Sequence, residues 1–563
     1  WVALVQFLAR TGQKDEAQKA LAEAQQKMPP PPAPLALALC YEALRDLEQA
    51  EKKYQEALAA APAEAAVVRQ VAEFYLRTGK GSQAEPHLRR LAASEVKAKD
   101  ESRARDDRIW SRRALALLLM GKGHYENLLE GLELVEQNLK EPNPAIQDQR
   151  AKALLLSAMP RREQQEEAVR LLEQVLRDYR GATPEDRFVL ARLYLRLGSD
   201  KWSQATRHFR ALMAAVPNEP RYIAAYGAAL LARKELSEAE IWVNRLEQVA
   251  PNQLPTLTLR SMTLCERNEH EKALTLLQGY LNQPESKGED RAARLLAVAS
   301  TLEDLGQRAS RGPAATVAAR FLAEAENLLR QYCDLRPDQK LVLAAFLARH
   351  NRMEEAVTLA EQAWPTSRPE LIGPALMTLL SGAAGQPTPY QARAEKILSQ
   401  AIDKHNRPVA FLVILADYLG VHNRVVEAEA LYREVLQKNP NHIAALNNLA
   451  MLLALQGKQL DEAQQLVNRA IELTGPSANS LDSRAAVYLA RGRAEEALKD
   501  IEAVIADTPV AMAYFRKAQI LAALNRRAEA TEALKTAEKM GLKAELLHPL
   551  ERPAFENLRK SLL

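Results

Sequence analysis

The sequence predicts an all-α protein built as a solenoid of repeated helical pairs. Alanine, leucine, glutamate, arginine and glutamine dominate the composition, and all five favour helices. Hydrophobic residues make up 47% of the 563 residues but aromatic residues only 5%, so small aliphatic side chains must fill the core. Similar sequences also recur along the chain, as in "RDLEQAEKKYQEALAAAP" from Arg45 and "NRVVEAEALYREVLQKNP" from Asn423. Self-similarity at a fixed spacing is typical of helical repeat arrays.

The repeat length follows from an alanine that recurs at the same place in each unit. Eight of the fourteen gaps between successive positions are 33 to 35 residues, and Gly131 fills one position in place of alanine. A period near 34 predicts helix–turn–helix units, because each unit buries its apolar face only against its neighbours. The alanines are Ala17, Ala50, Ala84, Ala168, Ala205, Ala239, Ala273, Ala325, Ala356, Ala394, Ala428, Ala463, Ala497 and Ala530.

The unit that ends at Pro509 illustrates the two helices. Leu481 and Tyr488 share one face of its first helix, and Gly492 ends that helix because glycine readily takes the left-handed conformation. Ile501 lies on the apolar face of its second helix, and Pro509 marks the exit to the next unit. Each unit is therefore expected to be a helical hairpin.

The second helices carry apparent start signals. "SQAE" at Ser82 and "SEAE" at Ser237 have the spacing of capping boxes, and "DEAQ" at Asp15 and Asp461 is the aspartate version. These four residues are predicted to be N-caps.

The order of large, small and helix-ending positions resembles the tetratricopeptide repeat (TPR) family. The resemblance extends over nearly the whole chain in about fifteen units, and it is weaker around Gly131, Ala325 and Ala394. It implies a right-handed superhelix whose first helices line a concave groove, with a C-terminal helix that caps the stack. One closely matching unit contains Leu412, Leu415, Ala416, Leu419, Ala428, Tyr432, Val435 and Pro440.

Breaks in the period divide the chain into segments. An extended proline-rich connector is predicted at 28–34 and an irregular insertion at 382–390, in addition to the insertions at 97–108 and 307–314. The insertions are either docking loops or tolerated surface loops, and both interpretations stay open. The predicted segments are N-terminal repeats 1–96, a charged insertion 97–108, central repeats 109–306, an insertion 307–314, C-terminal repeats 315–541 and a C-terminal capping helix 542–563.

Charge and composition argue against several functional classes. With 76 basic and 72 acidic residues the net charge is +4, so nucleic acid is not an expected partner. The three cysteines are far apart, and no apolar run approaches the roughly 18 residues of a membrane span, so no direct membrane insertion is expected. The chain opens on Trp1 already in helical rhythm, so a preceding signal peptide or catalytic domain stays open. The compartment, cytoplasmic or periplasmic, is not predicted.

No catalytic motif stands out. A phosphate-binding GxxxxGK[ST] loop is missing, and "HEKAL" at His270 has Leu274 where a zinc protease needs its second histidine. We therefore expect no enzymatic activity, no cofactor and no metal site.

Five polar residues are predicted to lie in the concave groove, namely Asn447, Asn448, Asp482, Arg516 and Lys517. The family resemblance implies two binding modes, a basic clamp for a terminal carboxylate and an asparagine ladder for a peptide backbone. "ALNNLAML" supplies one rung of such a ladder, and the clamp is not assembled. Solvated asparagines without a ligand are the alternative.

The main functional hypothesis is a non-catalytic scaffold that binds a peptide segment or a partner protein along the groove. The alternative is a regulatory or sensor arm of a larger enzyme whose catalytic domain lies outside this chain. A third possibility is self-association through the insertions.

Overall fold

A computed structural model describes residues 1–29, 33–283, 290–311, 315–381 and 388–562. These residues contain 31 α-helices, four short 3₁₀-helices and no β-strand, so the predicted all-α class is confirmed. A single isolated β-bridge joins Glu64 and Lys97. Thirty of the α-helices fall, in sequence, into fifteen consecutive pairs, which is consistent with the predicted number of units.

The chain forms two compact units. The first contains residues 1–159 and 163–182, and the second contains 160–162 and 183–563. These boundaries differ from those of the predicted segments, whose division at 97–108 and 307–314 stays a prediction. The helices of the first unit are α1 (Val2–Arg10), α2 (Lys14–Lys27), α3 (Ala33–Ala43), α4 (Leu47–Ala60), α5 (Ala65–Arg77), α6 (Gly81–Ala92), α7 (Glu101–Lys122), α8 (Tyr125–Leu139), α9 (Ile146–Ser157) and α10 (Arg162–Asp178).

The second unit contains the remaining α-helices and the 3₁₀-helices Ser199–Lys201, Pro337–Gln339, Trp364–Thr366 and Ala544–Leu546. Its α-helices are α11 (Pro184–Leu197), α12 (Trp202–Ala215), α13 (Pro220–Ala232), α14 (Leu236–Val249), α15 (Leu254–Glu266), α16 (His270–Leu281), α17 (Arg291–Ser310), α18 (Ala315–Leu335), α19 (Lys340–Arg349), α20 (Met353–Ala363), α21 (Pro369–Leu380), α22 (Pro389–Lys404), α23 (Val409–Val421), α24 (Val425–Lys438), α25 (Ile443–Gln456), α26 (Leu460–Thr474), α27 (Ala478–Ala490), α28 (Ala494–Asp507), α29 (Ala511–Ala523), α30 (Arg527–Lys539) and α31 (Arg552–Leu562).

The recurring alanines mark the closest helix contacts. All fourteen are fully buried, which is what a small residue at a helix crossing requires. Gly131 on α8 shows why one position differs. A β-carbon there would lie 2.9 Å from Leu155 Cδ2 and 3.2 Å from the Ala116 carbonyl oxygen, so the crossing is too close for alanine.

Most of the described turns inside the pairs contain a residue with positive φ, and the turn between α9 and α10 does not. Gly492 has φ 74°, as its predicted place at a helix end requires, and Asn423 and Asn525 take the same conformation at φ 63° and 61°. Asparagine tolerates this region better than most residues, so it substitutes for glycine here.

The four predicted N-caps are wrong. Ser82, Ser237, Asp15 and Asp461 are each the second residue of their helix, because the helix begins two residues earlier than the motif suggests. Four second helices instead have an arginine at the N-cap that pairs with the glutamate three residues on. The pairs are Arg352–Glu355, Arg424–Glu427, Arg493–Glu496 and Arg526–Glu529.

The charged insertion differs from the expected loop. Residues 101–108 are the first two turns of α7, because the Asp100 side chain accepts a hydrogen bond from the Arg103 backbone N–H and starts the helix there. The expected insertion at 307–314 is helical as far as Ser310, and 312–314 lie outside the described residues. Residues 30–32 of the proline-rich connector and 382–387 of the last insertion also lie outside them.

The C-terminal region ends in the helix α31, as expected for a capping helix. Phe555 on this helix is buried, with its ring edge-on to Phe515 at a centroid distance of 5.5 Å. Most of the region before α31 is not helical, and its residues 547–551, here called the C-terminal strap, contact the first helices of earlier pairs.

Candidate functional site

A cavity of about 400 Å³ lies among the first helices α23, α25 and α27 of three successive pairs. Three of the predicted groove residues, Asn447, Asn448 and Asp482, line it, and their role in binding stays a prediction. Asp417 on α23 and His548 of the C-terminal strap add to its polar lining, together with Tyr432 on α24 and Asn479 and Ser483 on α27. The sequence did not indicate Asp417, because this residue lies one helical turn beyond the two positions of α23 that correspond to Asn447 and Asn448.

The polar side chains form a short hydrogen-bonded chain. Asn447 donates from Nδ2 to Asn448 Oδ1 at 3.2 Å, and Asn448 donates from Nδ2 to Asp417 Oδ1 at 2.9 Å. Tyr432 on α24 donates its hydroxyl to the same Asp417 oxygen at 2.5 Å. Both donors reach one carboxylate oxygen, so the other faces the cavity without a protein donor in the described part of the chain.

Asp417 is a carboxylate with no cationic partner. Within the described residues no lysine, arginine or histidine nitrogen lies within 4.0 Å of it, although its side chain reaches solvent. Loss of water around it raises the pKa of Asp417, while the hydrogen bonds from Tyr432 and Asn448 and the charge of His442, which lies beyond contact distance, act in the opposite direction. The negative charge on this residue is therefore only partly compensated.

Asp482, in contrast, is paired. Arg516 Nε lies 2.9 Å from Asp482 Oδ1, and Arg516 Nη1 lies 2.9 Å from Glu551 Oε1. Arg516 is 3% exposed and Glu551 5%, so this is a buried ion triad. Burial alone would lower the pKa of Arg516, but the two carboxylates raise it above its ordinary value.

Two of the predicted groove residues are therefore misplaced. Arg516 lies beneath the C-terminal strap and is not available to a ligand. Lys517 is turned away toward the second helix of the preceding pair, where its Nζ lies 3.0 Å from Glu502 Oε1. Their partners Glu551 and Glu502 lie outside the repeat positions from which the groove was predicted.

The C-terminal strap closes one side of the cavity. Leu547 is fully buried, and the Leu550 N–H donates to His548 Nδ1 at 3.2 Å. Burial lowers the pKa of His548, the nearby Arg552 lowers it further, and a hydrogen bond with the Gly420 backbone opposes both. His548 is thus neutral near pH 7 and joins the strap to α23.

Aliphatic side chains also line the cavity. Val421 is 37% exposed and lies one helical turn beyond Asp417 on α23, and Met451 and Leu455 lie one turn apart on α25. The cavity therefore combines a carboxylate and amides with aliphatic side chains.

The described residues contain no group of three or more histidine, cysteine, aspartate or glutamate side chains that could hold a metal. The three cysteines are unpaired, and burial raises the pKa of Cys265 to about 12 and that of Cys333 to about 11. Among the described helices, none combines the length and the apolar character needed to cross a membrane.

The family matches lie within the C-terminal third of the chain, and the structural matches extend further. The tetratricopeptide repeat family matches residues 422–479 and 484–541, which include α25 and all of α27 except residues 480–483. No curated protein matches the chain. A tetratricopeptide repeat protein from Parabacteroides merdae ATCC 43184 is 18% identical over 46% of this chain and 97% of that one, with a TM-score of 0.33.

Two structures of complexes match more of the chain. Naa15/Naa10 bound to HypK-THB is 14% identical over 99% of this chain and 94% of the other, with a TM-score of 0.32. The APC/C hetero-tetramer Cut9–Hcn1 is 14% identical over 89% of this chain and 95% of the other, with a TM-score of 0.30.

Proposed function

Because this chain is a tetratricopeptide repeat protein, a class that generally mediates protein–protein interaction, we propose that it is a non-catalytic scaffold. Its ligand is a peptide segment of a partner protein, held in the cavity among α23, α25 and α27, here called the groove. The regulatory-arm alternative and self-association stay predictions, since no described residue favours either.

One observation carries the proposal. The groove combines side-chain amides, an unpaired carboxylate and aliphatic side chains on three consecutive first helices. Its volume of about 400 Å³ is in the range of ligand sites, which are mostly apolar with a few placed polar groups. An extended peptide offers backbone N–H and C=O groups to the amides and side chains to the apolar part.

The rigid setting supports binding energetically. Leu446, Leu449 and Ala450 of α25 are buried in the repeat core, so Asn447, Asn448 and Met451 are presented from a helix that is already ordered. A ligand therefore meets a preformed surface, and little affinity is lost to ordering the protein.

Peptide selection followed by a steric block tests this proposal. A displayed library of random peptides is selected on the full chain, and the binders are measured by fluorescence anisotropy. We expect Val421→Trp, which fills the groove without adding charge, to weaken binding by about tenfold or more. Val426→Trp is the matched control, since Val426 is 79% exposed on the second helix α24 and outside the groove.

Peptides that bind Val421→Trp as tightly as the wild-type protein would overturn the groove as the binding site. Circular dichroism of both variants establishes that each retains the helical fold.

A further inference from the structure

The inference below rests on the proposed function and concerns which peptide the groove accepts. We infer that the groove selects a peptide with a lysine or arginine side chain, whose charged end pairs with Asp417 and whose aliphatic part lies on Val421, Met451 and Leu455.

The charge of the groove favours a cationic ligand. Three carboxylates, those of Asp417, Asp482 and Glu551, and one guanidinium, that of Arg516, lie in the groove and beneath its strap wall. Arg516 contacts Asp482 and Glu551 and is buried, so it does not neutralise Asp417. His442 also acts on the charge of Asp417. With His548 uncharged, the three carboxylates outnumber Arg516 and His442 together, so the groove is negative. A cationic ligand is complementary to this field, and an acidic peptide is not.

The geometry of Asp417 leaves one carboxylate oxygen open to a ligand. Both of its protein donors reach Oδ1, so Oδ2 is open to a ligand donor from the cavity side. Tyr432 and Asn448 also fix the orientation of the carboxylate, so a ligand cation does not have to order it. An ion pair formed here is partly shielded from water, which strengthens it compared with a pair on an open surface.

The distance from Asp417 to the apolar surface at Val421 suits a long aliphatic stem. Asp417 and Val421 are four residues apart on α23, which is a rise of about 6 Å along the helix. The methylene chain of lysine or arginine buries its stem along apolar surface while its head reaches a polar partner. A glutamine or a short polar side chain lacks either the charge or the stem.

Peptide pools with one fixed position test the inference. The pools are based on the sequences of selected peptides whose binding Val421→Trp abolishes. Each pool has one of four residues at a single position: lysine, arginine, norleucine or glutamate. We expect the lysine and arginine pools to bind the wild-type protein about tenfold more tightly than the norleucine pool. Asp417→Asn should remove that preference, because it keeps the shape and the hydrogen-bond acceptor but not the charge.

Asp403→Asn is the matched control, since Asp403 is a largely exposed aspartate on α22 outside the groove. Carbodiimide coupling on wild-type protein gives an independent readout that needs no variant. The lysine pool should become linked to the tryptic peptide that contains Asp417.

The outcomes separate the two proposals. Binding that Val421→Trp abolishes, but without a basic preference, overturns this inference and leaves the scaffold proposal intact. A basic preference that persists in Asp417→Asn also overturns it. Binding that Val421→Trp does not affect contradicts the proposed function itself.

Discussion

Asp148 and Asp417 are aspartates on the first helices of two different pairs, α9 and α23, and their surroundings differ. Asp148 is 1% exposed, and Arg113 of the preceding pair contacts both of its oxygens at 2.8 Å. Asn138 adds a hydrogen bond to Asp148 at 2.9 Å. Asp417 reaches solvent, and within the part of the chain that the structure describes its donors are the neutral groups of Tyr432 and Asn448 alone. The same residue type in the same kind of helix thus completes the structure in one place and leaves a ligand position open in the other.

Asp148→Ala should have the largest effect. It leaves the Arg113 guanidinium and the Asn138 amide without their partner, and breaking a buried pair costs about 3–5 kcal/mol. In the full chain we expect hydrogen exchange in α7–α9 to accelerate by about 100-fold or more. Asp106→Ala, an exposed aspartate on α7, is the control and should leave the exchange unchanged. Equal rates in the two variants would mean that Asp148 is not structural.

Glu551→Ala should have the next largest effect. Arg516 keeps Asp482, so the cost is smaller than for a fully broken pair, about 2–3 kcal/mol. The strap should exchange its backbone hydrogens faster, and the groove should lose the wall that His548 provides. Glu545→Ala, whose side chain is exposed, is the matched control. A strap that stays protected without Glu551 would show that its apolar residues hold it alone.

Asp417→Asn should change stability by less than about 1 kcal/mol, and in the opposite direction. Burial raises the pKa of Asp417, so the folded protein disfavours the ionised form, and that penalty develops as the pH rises through the raised pKa. The asparagine variant avoids it and should melt at a slightly higher temperature at pH 7 but not at pH 3. A marked loss of stability at pH 7 would place Asp417 in the same class as Asp148.

His548 should give the smallest effect, a modest loosening of the strap in acid. Its pKa lies below the ordinary 6.5, so the unfolded chain takes up the proton first and stability falls as the pH drops below that value. The carboxylates of Asp417, Asp482 and Glu551 also face this region, so His548→Gln is needed as a control. Hydrogen exchange of the strap between pH 8 and 5.5 should depend less on pH in that variant than in the wild type.

The repeat period could be predicted from the sequence because each recurring alanine is in the same steric environment. The groove could be predicted only where its contacts are local. Asn447, Asn448 and Asp482 point into the cavity, since first-helix positions between the core residues face it. Arg516 and Lys517 could not be placed, because their directions depend on Glu551 and Glu502.

The predicted helix starts were wrong for a different reason. A serine or aspartate followed by glutamate has the spacing of a cap wherever it occurs, and the backbone alone decides which residue is the N-cap. In these pairs a left-handed residue, such as Gly79 before Lys80, fixes that position earlier. The strap was missed because "HPLER" carries no period and its partners lie on distant helices.

Gly131 limits how far this array can be regularised by protein engineering. A design that averages the units would place alanine there, because the fourteen equivalent positions are all alanine. The added methyl group would lie 2.9 Å from Leu155 Cδ2 and 3.2 Å from the backbone carbonyl oxygen of Ala116, which cannot rotate away as a side chain can. An idealised version of this protein must therefore keep one irregularity, or redraw the three neighbouring helices together.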